Sequence, residues 1–208
     1  NVSELLVVVF GFLLQIPAPI LAVQILAIDL GTDVFPSFAL GLEPKEPTKI
    51  GSASRSNRHI IDGYGVKRLL IMGLIMASGA VLAFIWSLSR HGFSWGDVID
   101  KDSLVYLRAA TATYVVLAVS QLANLAQARS ETLHPSELGW FRNGQAWGAA
   151  FMSLCVLWLF LYAPFLQEYL RMRPIEWQDW LMVALTTLTV YSYETYRKNR
   201  LRTQEQRI

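Results

Sequence analysis

Two aspartates, Asp29 and Asp33, lie in Ile20–Leu42, a stretch that is otherwise almost entirely apolar and long enough to cross a bilayer. A carboxylate at the centre of a spanning helix costs roughly 2.5–3.5 kcal/mol on insertion scales, and such residues normally face a bundle interior or a water-filled path where ions or protons are handled. Gly31 and Pro36 lie beside them. Proline has no amide proton and its ring clashes with the carbonyl four residues back, so the Thr32 carbonyl is expected to be released, with Gly31 easing a local unwinding. Irregular backbone at that depth is tolerated only where it is buried in protein or lines a cavity. Further oxygen-bearing side chains interrupt two other apolar runs: Asn1 and Glu4 are three apart and share a helix face, as do Gln121 and Asn124. At 1.5 Å per helical residue, Glu4, Asp33 and Gln121 each fall about 18–20 Å from the outer end of their helix, and Asp29 about 14 Å. Three helices thus present oxygens at one depth. Carboxylate, amide, hydroxyl and carbonyl oxygen, without thiol or imidazole, is the ligand chemistry of a hard cation. Broken helices that turn carbonyls toward cations are a recurring transporter device.

The elements that must position these groups are membrane helices. The chain of 208 residues is 53% hydrophobic and only 16% charged, too apolar for a soluble domain of this size. Besides the first two runs, Leu69–Leu88, Ala109–Leu125, Ala146–Leu166 and Trp177–Tyr196 each approach the roughly 20 residues needed to span about 30 Å of hydrocarbon. The expected fold is all-α, one polytopic transmembrane helical bundle over 1–208 with about six spans, near 2–16, 20–42, 68–88, 108–128, 144–166 and 177–196, and with the second helix unwound at mid-membrane. Pro17-Ala18-Pro19 permits a tight reversal between the first two. The polar segment Glu43–Lys67 reads as an exposed loop. Most of the 18 lysines and arginines fall on the side of that loop and of the tail Arg197–Ile208, which makes that side, with the C-terminus, cytoplasmic.

Other features exclude alternatives. A net charge of +2 gives no argument for nucleic acid. The single cysteine, Cys155, rules out an internal disulfide and is expected to be a packed, inert thiol. His59, His91 and His134 fall in loops, away from Cys and from each other, and read as solvated side chains. Asp62-Gly63-Tyr64-Gly65 is too short to cradle phosphate and reads as a hinge into the third span. Val2–Leu14 lacks the basic start and the cleavage site of a signal peptide and reads as the later part of a helix that begins upstream, so the sequence is expected to be a fragment.

At Asp29-Leu30-Gly31-Thr32-Asp33, followed by Pro36 and by Leu40-Gly41-Leu42-Glu43-Pro44, the sequence closely resembles the sixth transmembrane helix of type II P-type cation-transporting ATPases. Asn1-Val2-Ser3-Glu4 resembles the Asn-x-x-Glu of the fifth helix. Gln121-Leu122-Ala123-Asn124 is similar to the site stretch of the eighth, and Tyr193-Glu194-Thr195-Tyr196-Arg197-Lys198 resembles the close of the tenth. The resemblance implies a C-terminal membrane segment, from the fifth helix to the terminus, with the transported ion held by Asn1, Glu4, Asp29, Thr32, Asp33, Gln121 and Asn124. Calcium pumps usually carry Asn at the position of Asp29, and the reticulum type carries Glu at that of Gln121. Sodium/potassium pumps carry Asp and Gln there, as here, but usually Asp at the position of Asn124. The resemblance is therefore to the sodium/potassium type with one anionic ligand fewer.

The family's phosphorylated Asp-Lys-Thr-Gly-Thr motif does not occur in this sequence, nor does a Walker-type loop. No residue here is expected to be catalytic, and magnesium and ATP belong to the intact protein. The implied partners are membrane lipid and the remaining helices and cytoplasmic domains of the same pump, in a plasma membrane. The transported cation is expected to be sodium, potassium or a proton, with calcium as the alternative. A stand-alone proton-coupled carrier and a structural membrane bundle are the readings of another class.

Overall fold

The computed structural model describes residues 2–42, 63–130, 133–139 and 143–205. Asn1, most of the 43–67 loop and His59 lie outside these. The described residues are helical, without a strand: α1 (Val2–Leu13), α2 (Ala22–Ala27), a π-helical turn (Ile28–Thr32), α3 (Val34–Gly41), α4 (Gly63–Ser89), α5 (Leu104–Ala128), α6 (Pro135–Leu138), α7 (Gly144–Tyr162), α8 (Pro164–Leu170) and α9 (Asp179–Glu205). Ala22–Gly41, Gly65–Ser89, Leu104–Ala128 and Gly144–Tyr162 are long and apolar enough to cross a membrane, and Val2–Leu13 is a shorter apolar helix. The chain is a helical membrane bundle. The glycines expected to form a hinge instead belong to the first turn of α4.

The helix ends carry their own signals. Ser103 accepts the Tyr106 amide at the start of α5 at 3.3 Å, and Asn143 accepts the Ala146 amide at the start of α7 at 3.0 Å. Pro164 supplies the break between α7 and α8 within the stretch expected to be one span. The reversal after α1 is pinned by the Tyr106 hydroxyl, which donates to the Ala18 carbonyl at 2.8 Å.

α5 is the central helix. Every residue from Leu107 to Ala118 except Arg108 is buried, which is the all-round apolarity of a helix enclosed by others. α4 and α9 pack on it, α1 packs on α4, and α7 lies against α3 and the π-turn. α7 buries a single stripe at helical spacing, Ala146, Ala149, Ser153, Leu157 and Leu161. Its opposite face exposes Phe151, Trp158 and Leu159, and Cys155 lies on that face. The packed thiol expected at Cys155 is therefore corrected: among the described residues, neighbouring helices cover one side of α7, and Cys155 is not on it.

Charged clusters close both ends of the bundle. On the side of the α4–α5 loop, Glu176 accepts Arg90, His91 and Arg108 while Arg90 also reaches Asp179 at 3.1 Å. Burial opposes its charge, yet the Arg90 and His91 contacts hold the Glu176 carboxyl below the usual carboxylate range. At the other end, Glu137 of α6 pairs with Arg202 of α9, and His134 contacts Asn199 at 2.7 Å. His91 and His134 thus have hydrogen-bond partners, in contacts that are themselves exposed.

The Arg202 hydrogen bonds and the His134 amide lower the Glu137 pKa from 4.5 to about 2. A carboxyl depressed in the fold binds fewer protons there than when unfolded, so its contribution is present above pH 4.5 and lost as the pH falls toward 2. Hydrogen exchange of the α9 amides near Arg202 is expected to accelerate over that acid window relative to the rest of α9. In Glu137→Gln this step is expected to disappear.

Candidate cation site

The π-turn is where the sixth-helix signals take physical form. The Asp33 amide donates to the Ile28 carbonyl, five residues back, at 3.0 Å. The break is a widened turn inside an otherwise helical span, a feature frequent at functional sites. Gly31 permits close approach of α7: a Cβ there would lie 2.6 Å from the ring of Phe160. Gly73 does the same for α1 and α4, since its Cβ would fall 2.7 Å from a Val2 methyl carbon.

With the helices so placed, one ligand oxygen from each of Glu4, Asp29 and Asp33 lies within 4.8 Å of the others. Glu4 is buried, and the two aspartates are partly buried. Gln121 of α5 donates its amide nitrogen to Glu4 at 3.2 Å. That bond leaves the carbonyl oxygen of Gln121 buried and unpartnered, as is the Asn124 amide oxygen. Asp33, Gln121 and Asn124 line a cleft of about 320 Å³ with Ser3, Ser37 and Met72, drawn from α1, α3, α4 and α5. Charged carboxylates this close repel one another, and the two amide oxygens beside the cavity have no hydrogen-bond partner. A cation is one group that would draw these oxygens together, and a shared proton is another.

Among the expected site residues, Glu4, Asp29, Asp33, Gln121 and Asn124 are brought to this region. Asn1 lies outside the described residues. Thr32 sits differently. Its hydroxyl donates to the Ile28 carbonyl at 3.1 Å, and its own carbonyl accepts the Ser153 hydroxyl of α7 at 2.7 Å. The carbonyl that Pro36 releases is thus satisfied by a neighbouring helix, not turned toward the acids.

Ser153 escaped the reading of the sequence. A serine costs little in an apolar helix and stands out only as the polar member of the buried α7 stripe. Ser153→Ala leaves a buried carbonyl without a donor, a loss of about 1–3 kcal/mol. A lower melting temperature is expected, together with altered cation affinity as the π-turn relaxes. Unchanged values for both would mean that the contact does not support the turn.

The family model described as "Cation transporting ATPase, C-terminus" matches residues 17–199. The chain belongs to this family. Among members of the cation-transporting ATPases, a "Calcium-transporting ATPase" of Bacillus subtilis (strain 168) is 30% identical over 88% of this chain and 19% of its own length. A "Potassium-transporting ATPase alpha chain 2" of Oryctolagus cuniculus is 25% identical over 95% of this chain and 21% of its length. A "Sodium/potassium-transporting ATPase subunit alpha" of Hydra vulgaris is 26% identical over 97% of this chain and 22% of its length. The chain spans about a fifth of each of these cation-transporting ATPases. Their names divide between calcium and monovalent ions, so family membership alone leaves the cation open.

Proposed function

We propose that this chain is the ion-binding half of the transport domain of a P-type pump that moves monovalent cations, sodium/potassium or proton type, across the plasma membrane. The observation that carries this reading is the meeting of Glu4, Asp29 and Asp33 from two helices beside the free amide oxygens of Gln121 and Asn124. Glu4, Asp29 and Asp33 supply charge, and Asn1, Gln121 and Asn124 supply neutral oxygens, while Thr32 shapes the π-turn through its bonds to Ile28 and Ser153. ATP, with magnesium, is hydrolysed by parts of the intact protein outside this chain. Phosphorylation there rotates the helices, changes the spacing of the oxygens and exposes them to each side in turn. The C-terminus is cytoplasmic in this arrangement, and the cleft beside Asp33 then opens toward the cytoplasm, because it extends to Leu40, Leu69 and Ala128 at that end of α3, α4 and α5.

The monovalent choice rests on Asp29. A carboxylate there gives the cluster a third negative charge, where calcium pumps are expected to have a neutral asparagine. Calcium is the second reading, supported by the similarity to the Bacillus subtilis calcium-transporting ATPase and by the preference of that ion for several carboxylates. The test is uptake by the intact protein reconstituted in sealed vesicles, supplied with ATP and radiolabelled sodium, rubidium or calcium. ATP-driven sodium or rubidium movement, or ATP-driven acidification, is the expected result. Calcium uptake indifferent to monovalent ions would overturn the choice of cation, and cation movement that ignores ATP would overturn the pump.

A further inference from the structure

At the end of the bundle where the apolar part of α4 begins and that of α9 stops, the two helices enclose a cavity of about 300 Å³. Its wall carries four cations, Lys67 and Arg68 from α4 and Arg197 and Arg200 from α9. Glu194 is fully buried and holds two of them, accepting Arg68 at 2.9 Å and Arg197 at 2.9 Å. Lys67 and Arg200 are exposed and have no partner among the described residues. Among the described residues, one carboxylate, Glu194, stands beside four cations of the pocket wall, an excess of positive charge in that lining. Ile71 and Leu201 give the cavity an apolar side, and Tyr193 and Tyr196 also line it. Tyrosine at such a boundary is the usual residue of the headgroup layer.

We propose that this pocket binds the headgroup of an anionic phospholipid. Basic pockets between membrane helices on the positively charged side are suited to phosphate-bearing headgroups, with each Lys or Arg contributing separately. Lys67 and Arg200 contact the phosphate, which lies over the guanidiniums that Glu194 orients. One acyl chain runs down the groove past Ile71, between α4 and α9. The lipid ties these two helices together beside the Arg68–Glu194 ion pair that already joins them. The pocket shares no residue with the carboxylate cluster, so the inference stands independently of which cation is carried.

The intact protein, purified in detergent and stripped of lipid, is titrated with phosphatidylglycerol and separately with phosphatidylcholine, and bound lipid is counted by native mass spectrometry. Glycerol phosphate serves as the soluble headgroup control. Saturable binding of one phosphatidylglycerol is expected, weakened at least tenfold in the double variant Lys67→Gln, Arg200→Gln and unchanged in Lys101→Gln at the far side of the bundle. Both changes fall on exposed side chains, and an unchanged melting temperature of the lipid-free variant confirms that it is folded. Equal retention by the double variant, equal binding of phosphatidylcholine, or displacement by millimolar glycerol phosphate as effective as by lipid would each overturn the proposal. The last result would identify a site for free phosphate.

Discussion

Asp33→Asn in the intact protein is expected to abolish cation-stimulated phosphoenzyme formation at cation concentrations that saturate the unaltered pump. Asp33 is the aspartate of the cluster that lines the cleft, and its oxygen lies within 4.8 Å of those of Glu4 and Asp29. The amide has the same shape but no charge, so it keeps the packing of the π-turn while removing one attraction for a cation in a site of low dielectric. Breaking a buried charge pair costs about 3–5 kcal/mol, and about 1.4 kcal/mol is tenfold in binding, so an apparent affinity more than a hundredfold weaker is expected. The same change relieves repulsion among three neighbouring carboxylates, so the cation-free variant is expected to melt no lower than the unaltered protein. Loss of phosphorylation together with an intact or raised melting temperature separates a ligand from a packing residue. Unchanged cation dependence would remove Asp33 from the site.

The parts of this region that were legible in the sequence are those that are costly in lipid. Asp29, Asp33, Glu4 and Gln121 interrupt apolar runs at one depth, and a helical rise converts that depth into proximity. The Gln121–Glu4 hydrogen bond and the three-carboxylate cluster follow that reading. Features with no such cost left no trace. Pro36 announces a disturbance four residues back, but whether the released Thr32 carbonyl meets a cation or a hydroxyl depends on which helix lies alongside. Ser153 of α7 decides it. The disturbance also resolves into a single π-turn instead of an open coil, since one extra residue per turn is sufficient to relieve it. The exposure of Cys155 has a related reason: apolar surroundings in sequence do not distinguish the face of a helix that packs on its neighbours in this chain from the face that does not.

The largest effect on stability is expected outside the candidate site, at Glu194. Its carboxylate is fully buried and holds Arg68 and Arg197, whose side chains are 23% and 9% exposed. Lys198, also fully buried, donates to the carbonyls of Gln127 at 2.7 Å and Leu133 at 2.9 Å, so this segment of α9 fastens both α4 and the end of α5. Glu194→Leu fills the space but strands two guanidiniums, and the loss of a buried partner of this kind costs about 3–5 kcal/mol. The intact protein in detergent is therefore expected to unfold at a markedly lower temperature. Adding Arg68→Met removes one stranded charge, and the double variant is expected to regain part of the loss, with a coupling of about 0.5–3 kcal/mol between the two positions. Additive effects would mean that Arg68 is held by solvent and not by Glu194. Because Glu194 shares no contact with Glu4, Asp29 or Asp33, cation affinity in the folded fraction is expected to stay within a few-fold of the unaltered value. A collapse of affinity would instead show that the α4–α9 clasp sets the geometry of the carboxylate cluster through α1, which packs on α4.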